Sequence, residues 1–189
     1  MATQDTAQRI LDIAERLVQT RGYNGFSYAD IAQAMKVTKA SLHYHFPAKA
    51  DLGARLIERY ERNFLAALAK IDGQAGDARE KLRRYAALYE DVLSDNRMCL
   101  CGMLAAEFGT LPKAMKDEMR HYFDANERWL AGVLQQGRKE KTLKFQGSAA
   151  EVAQSLVGAL EGAMMIARSY ADVARFKSSA DRTLASLAA

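Results

Sequence analysis

Eight consecutive residues carry much of the hydrogen-bonding chemistry in the first third of this 189-residue chain: Lys39-Ala40-Ser41-Leu42-His43-Tyr44-His45-Phe46. Leu42 and Phe46 stand four apart and share one face of a helix, which leaves Lys39, Ser41, His43, Tyr44 and His45 for the outer side. Hydroxyl, imidazole and phenol groups hydrogen-bond to phosphate oxygens or base edges at small desolvation cost, and Lys39 adds a charge. Lys49 falls in the first turn of a following helix, where an ammonium joined to the positive end of the helix dipole makes a phosphate clamp. Other chemistries fit less well. His43 and His45 form an H-x-H pair, but on a helix residues two apart project about 200° from each other and cannot share a metal ion. With His121 as the remaining histidine and no convergent nucleophile or base, neither an enzyme nor a cofactor is expected.

The elements that must position these groups are short and well punctuated. Ile10, Ile13, Ala14, Leu17 and Val18 form one apolar stripe on a helix from about Thr6 to Arg21. Gly22-Tyr23-Asn24-Gly25 stops it, since Gly and Asn tolerate a left-handed backbone. Ser27 caps a second helix with Asp30 as reciprocal partner, and Phe26 staples onto Ile31. That helix ends near Met35-Lys36; Thr38 caps a third, which runs to about Phe46, and Pro47 suits the first turn of a fourth. Two short capped helices joined by a tight turn form a helix-turn-helix unit, whose second helix lies in the DNA major groove.

These residues resemble the TetR family of transcriptional regulators. The resemblance is carried by Gly22-Tyr23-Asn24-Gly25-Phe26-Ser27, Ile31-Ala32 and the run from Val37 to Leu52: a small residue at Ala40, a hydroxyl at Ser41, then Leu42, aromatic rings at 43 and 44, His45, Phe46, and Lys49 a few residues later. It covers roughly the first third of the chain. His43 departs from the pattern, which more often has Tyr there, though an imidazole can also donate to a phosphate. The resemblance implies DNA contacts from Ser27, Thr38, Lys39, Ala40, Ser41, His43, Tyr44, His45 and Lys49, with Ser27 and Thr38 serving as caps as well. It also implies a DNA-binding domain over residues 1–48, with its helix-turn-helix at about 27–46. Residues 49–189 would then be an all-helical domain that binds a small molecule and dimerises through its last two long helices. The partners are thus operator DNA, an effector and a second copy of the chain. The helix from Pro47 onward, joining both domains, is the implied transmission element.

The rest of the chain supports that outline. Helices are expected over about 78–94, 98–108, 112–140, 148–170 and 172–187, giving an all-α protein of about nine helices. Ser155, Ala159, Ala163 and Ala167 form a small-residue stripe at i, i+4 spacing, with Gly158 and Gly162 beside it, as close approach of two helices at a dimer interface requires. Met98–Phe108 is rich in soft apolar residues; Cys99, Met103, Glu107 and Phe108, with Tyr85, Tyr89, Trp129, Met164 and Met165, are the candidate effector contacts. Glu107 has Arg97, Arg168 or a ligand cation as candidate partners. Cys99 and Cys101 raise an alternative: a redox-sensing, or simply constitutive, DNA-binding regulator.

Composition bounds these readings. The 34 alanines and 20 leucines outnumber Val, Ile and Thr together, which disfavours a sheet, and only Pro47 and Pro112 interrupt helix formation. Two cysteines fit a reducing cytoplasm. The start MATQDTAQR has no apolar core of a secretory signal, and Gln154, Ser155 and Glu161 break the longest apolar stretch, so no membrane partner is expected. The net charge of +4 divides evenly, +2 in residues 1–60 and +2 beyond, so it identifies no partner by itself.

Overall fold

The computed structural model of the chain describes residues 2–189, with side chains from residue 5 onward. Among the described residues there are nine α-helices: α1 (Ala2–Arg21), α2 (Tyr28–Met35), α3 (Lys39–His45), α4 (Lys49–Gln74), α5 (Ala78–Ser94), α6 (Leu100–Ala106), α7 (Lys113–Lys139), α8 (Ala149–Ser169) and α9 (Val173–Ala185). A single 3₁₀ turn, Phe108–Thr110, follows α6 and shortens it relative to the expected span. The helices begin where local capping dictates. Ser27 and Ser148 each close a complete capping box, and Thr38, Asp77 and Asp172 accept from backbone N–H groups of the first turn. Neither proline lies within the first turn. Pro47 stands two residues before α4, because the Asp51 carboxylate takes the Ala48 N–H at 3.0 Å and makes Ala48 the last non-helical residue. Pro112 stands directly before α7 and accepts from Lys116 N. No described helix is long and apolar enough to cross a membrane.

By its packing the chain divides into two units, Met1–Arg62 with Cys99–Tyr122, and Asn63–Met98 with Phe123–Ala189. In the first, Ile10, Ala14 and Val18 of α1 are buried together with Ile31 of α2, Leu42 of α3, Leu52, Leu56 and Ile57 of α4 and Leu100 and Leu104 of α6. One buried cation pins α4 to α1. Arg59 Nη1 donates to Asp12 Oδ1 at 2.6 Å and Gln8 Oε1 at 3.4 Å, while Nη2 donates to Glu15 Oε2 at 2.7 Å. Gln8, Asp12 and Glu15 are spaced i, i+4, i+7, so one guanidinium fork reads a single stripe of α1.

The second unit is built on Leu82 and Tyr85 of α5, Leu130 and Leu134 of α7, Leu156, Leu160 and Met164 of α8 and Phe176 of α9, all nearly or fully buried. Asp72 in α4 ties three helices together: it pairs with Lys81 of α5 at 2.8 Å and accepts from Trp129 Nε1 of α7 at 2.8 Å. Although partial burial opposes its ionisation, those bonds hold its carboxyl below the usual range. Where α7 passes α5 the backbones come close. A Cβ on Gly137 would lie 2.8 Å from Ala78 Cβ, with Leu143 nearer still, and Ala78 cannot swing aside. Gly137→Ala is therefore expected to cost about 1–3 kcal/mol, measured by urea denaturation against the unchanged chain.

Candidate nucleic-acid interface

The turn that leads into α2 sets the site. Gly22 takes φ +81°, a left-handed conformation that glycine adopts freely. Beyond it the Ser27 Oγ accepts from Ala29 N at 3.2 Å and donates to Asp30 Oδ2 at 2.8 Å, while that carboxylate also accepts from Ser27 N at 2.7 Å. These bonds keep the Asp30 carboxyl below its ordinary range. At its other end α2 stops at Lys36, in the left-handed conformation at φ 57°, and Thr38 Oγ1 then accepts from Ser41 N to start α3.

A phenol bridges the two helices. Tyr28 OH donates to the Phe46 carbonyl at 2.8 Å, and its ring lies 4.8 Å from that of His43. Burial, helped by the Asp51 charge and by Tyr23, pushes its pKa up to about 12, so it remains a donor throughout the neutral range. With Leu42 fully buried and Phe46 nearly so, the remaining residues of α3 are turned outward. Lys39, Ala40, His43 and Tyr44 are exposed, Ser41 and His45 partly so. Tyr44 is 77 % exposed, its ring held in water with the His45 ring beside it at 5.2 Å. A groove of about 330 Å³ runs along this face, lined by Phe26, Ser27, Tyr28, Ala29, Lys39, His43 and Lys49. The N-terminus of α2 opens on it, a favourable setting for an anion.

His43 Nδ1 lies 3.0 Å from the Pro47 carbonyl, which only accepts, so Nδ1 carries a proton and Nε2 is the ring nitrogen left for an outside partner. One expectation about this face changes. Lys49, expected as a phosphate clamp, is half-buried on the α1–α2 turn. Its ammonium donates to the carbonyls of Tyr23 (2.6 Å) and Phe26 and stands over both rings, at 4.4 and 4.2 Å. Burial holds its pKa below the usual lysine value, against the pull of the Glu107 and Asp30 charges. The reason is range: the two carbonyls stand 26 and 23 residues upstream, beyond any local pattern.

The other candidate residues scatter. In the first unit Glu107 is directed at a backbone turn rather than at Arg97 or Arg168: it accepts from Tyr23 N at 2.5 Å and from Asn24. Phe108 is half-buried under Lys116 and Arg120, at 4.9 and 5.3 Å. Cys99 and Cys101 are buried and unbridged, with Cys99 Sγ 3.8 Å from Tyr60 OH and 3.7 Å from Tyr122 OH, and Met103 is half-buried. Such thiols lack the exposed, electropositive setting that a reactive cysteine needs.

In the second unit Tyr85 and Tyr89 join a buried polar cluster. Tyr85 OH donates to Asn126 Oδ1 at 2.9 Å and meets Tyr89 OH at 2.9 Å, with Trp129 stacked on Tyr85 at 5.7 Å and Phe176 on Tyr89 at 6.4 Å. Asn126 is not legible in the sequence, where an amide between Ala125 and Glu127 gives no sign of being fully buried. Met164 is in this core, whereas its neighbour Met165 is 49 % exposed and cannot share its wall. On α8, Ser155, Gly158, Ala159 and Gly162 are exposed and Ala163 partly so. Ala167 is fully buried inside the chain, its carbonyl accepting from Asp172 N at 3.1 Å where α9 folds back, so it leaves the exposed stripe.

Comparison with known proteins agrees with this geometry. A family described as "Bacterial regulatory proteins, tetR family" matches residues 10–56, and "Tetracyclin repressor-like, C-terminal domain" matches residues 78–182. A crystal structure of a TetR-family transcriptional regulator from Agrobacterium tumefaciens is 34 % identical, with a TM-score of 0.96 over 99 % of this chain and 100 % of that one. A TetR transcriptional regulator from Legionella pneumophila is 32 % identical, with a TM-score of 0.86 over 95 % of each chain. The HTH-type transcriptional repressor DhaR of a Mycobacterium species is 21 % identical over 87 % of this chain and 83 % of its own. With both matched regions, an all-helical fold and a solvent-facing α3 on a capped helix-turn-helix, the chain belongs to the TetR family of DNA-binding transcriptional regulators.

Proposed function

We propose that this chain is a ligand-responsive repressor, acting in the cytoplasm, that binds a palindromic operator as a homodimer and is released by a small, largely apolar effector. The observation that carries the reading is Tyr44, 77 % exposed on a helix whose Leu42 is packed inward and whose His43 is bonded to Pro47. An exposed phenol between Lys39 and His45 has an obvious use against phosphate or a base edge. In this reading residues 1–48 bind DNA and residues 49–189 take the effector and the second subunit. Lys39, Ala40, Ser41, His43, Tyr44 and His45 face the duplex, while Ser27 and Thr38 add phosphate contacts to their capping role.

The α8 surface supports the dimer. Ser155, Gly158, Ala159 and Gly162 leave a smooth strip, and Met165, Ile166 and Tyr170 stand exposed beyond it at 49, 54 and 65 %. Two such strips, related by a two-fold axis, approach closely and remove those apolar side chains from water. The aromatic cluster of the second unit supports an uncharged effector: Tyr85, Tyr89, Trp129 and Phe176 pack ring against ring, and the tyrosine hydroxyls and the Asn126 amide hydrogen-bond one another, a surrounding with no charged member. An effector favouring one conformation lowers operator affinity by its differential binding to the two states. That DhaR is a repressor supports the sign.

Duplex selection from a random pool, with mass measurement in solution, tests this. A palindromic duplex bound by a species of twice the 20.9 kDa chain mass is expected, and Gly162→Glu should give a monomer that no longer retains it. A monomeric wild-type chain, or an asymmetric site, would contradict the proposal. The fluorescence of Trp129, the chain's one tryptophan, then reports binding of neutral aromatic compounds. A complex released by none of them points to constitutive binding. One released by peroxide, but not in Cys99→Ser, transfers the response to the thiol.

A further inference from the structure

We infer that Glu107 is a positioning residue for DNA reading: its carboxylate, at the end of α6, holds the α1–α2 turn and so sets the placement of α2 and α3. This rests on the operator-binding reading above. The turn is gripped on its two polar edges by opposite charges. On the donor edge, Glu107 Oε2 accepts from Tyr23 N at 2.5 Å, and Oε1 accepts from Asn24 N and Asn24 Nδ2, both at 3.3 Å. Asn24 Nδ2 donates to Thr110 Oγ1 at 2.8 Å, and Thr110 Oγ1 donates to the Glu107 carbonyl at 3.0 Å, which closes the link on the α6 side. On the acceptor edge the Lys49 ammonium takes the carbonyls of Tyr23 and Phe26. The Tyr23–Asn24 peptide lies between an anion at its N–H end and a cation at its C=O end, and is held more firmly than by either charge alone.

The fit is specific to glycine at position 22. A Cβ there would lie 2.7 Å from Glu107 Oε1, so the same glycine that supplies the left-handed turn also admits the carboxylate. The turn runs straight into the reading unit. Phe26 leads to the Ser27 cap, α2 begins at Tyr28, and the Tyr28 phenol carries its placement to Phe46 at the end of α3. Glu107 touches no group of the outward face, so its effect on DNA must pass through the turn.

Amide exchange on the full chain tests the clasp without DNA. In Glu107→Ala the amides of Tyr23 and Asn24 should exchange at least about tenfold faster while those of Ile10–Val18 in α1 are unchanged, and Glu107→Gln, which keeps an acceptor, should recover most of the protection. Operator measurements on the duplex selected by the wild-type chain test its consequence. Glu107→Ala should lower specific affinity about tenfold, leaving non-specific affinity and the salt dependence as they were, because no phosphate contact is lost. Asn24→Asp sets two carboxylates against each other and should weaken operator binding similarly. Adding Glu107→Gln, whose amide can donate to the new carboxylate, should restore it, a rescue that general loss of stability does not produce. Unchanged exchange at Tyr23 and Asn24, or no rescue of Asn24→Asp, overturns the inference. Enrichment of no duplex by the wild-type chain overturns the operator reading instead, and amide exchange alone then decides the clasp.

Discussion

Arg59→Ala is expected to lower the stability of the chain by about 3 kcal/mol, because it strands two carboxylates that α1 aims at one buried cation. The Arg59 side chain is 9 % exposed and Glu15 19 %, but Asp12 is 67 % exposed, so the loss falls at the lower end of what breaking a fully buried pair costs. Thermal unfolding should register it as a fall in midpoint of roughly 6–12 °C, taking about 2–4 °C per kcal/mol for a chain of this size. Arg59→Lys keeps the charge, yet a single ammonium cannot span Asp12 and Glu15, so an intermediate midpoint is expected. An unchanged midpoint in Arg59→Ala would mean that α1 is held to α4 by apolar packing alone.

Tyr44→Ala should have the opposite profile. The ring is 77 % exposed, so its removal should change stability by less than about 0.5 kcal/mol. Operator affinity should nevertheless fall about 10- to 100-fold, the equivalent of about 1–3 kcal/mol for one contact at a base edge or phosphate. Tyr44→Phe separates the hydroxyl from the ring: recovery of most of the affinity assigns the contact to stacking or apolar packing, and no recovery assigns it to the hydrogen bond. Equal binding by wild type and Tyr44→Ala would remove α3 from the interface. Lys49→Ala is the informative companion. With its ammonium on the carbonyls of Tyr23 and Phe26, its loss acts through the turn, whereas removing a phosphate contact would reduce the salt slope by about one.

Features written within a few residues of one another were legible. Ser27 and Asp30, Thr38 and Ser41, Ser148 and Glu151 meet because capping is a local matter of three residues, and Leu42 with Phe46 declares the inner face of α3 by spacing alone. Helix α5 begins at Ala78 and ends at Ser94 as its flanking loops required. Partner choice over distance resisted reading. Glu107 finds a turn 84 residues upstream, and no pattern around it distinguishes a backbone N–H from Arg97 or a ligand cation. Lys49 has the residue type and position of a phosphate ligand, and only three-dimensional placement shows the carbonyls that occupy it. The α8 stripe failed at one end for a related reason: i, i+4 spacing says which residues share a face, but the returning α9 decides how far that face stays open, and Ala167 lies under it. Met164 and Met165 are adjacent in sequence and separated by one helical step, enough to place one inside and the other outside.

The bond from the Tyr28 hydroxyl to the Phe46 carbonyl bears on how such a protein changes its target over time. It joins the start of α2 to the end of α3 through a backbone atom, so the mount is indifferent to which side chains α3 displays. Substitutions at Lys39, Ala40 and Tyr44 are free of that constraint, whereas His43, bonded to Pro47 and packed on Tyr28, is half mount and half display. If α3 reads the operator as proposed, a lineage can trade one operator for another by drifting at three outward positions without refolding the helix pair, while a change at His43 requires a compensating change beneath it.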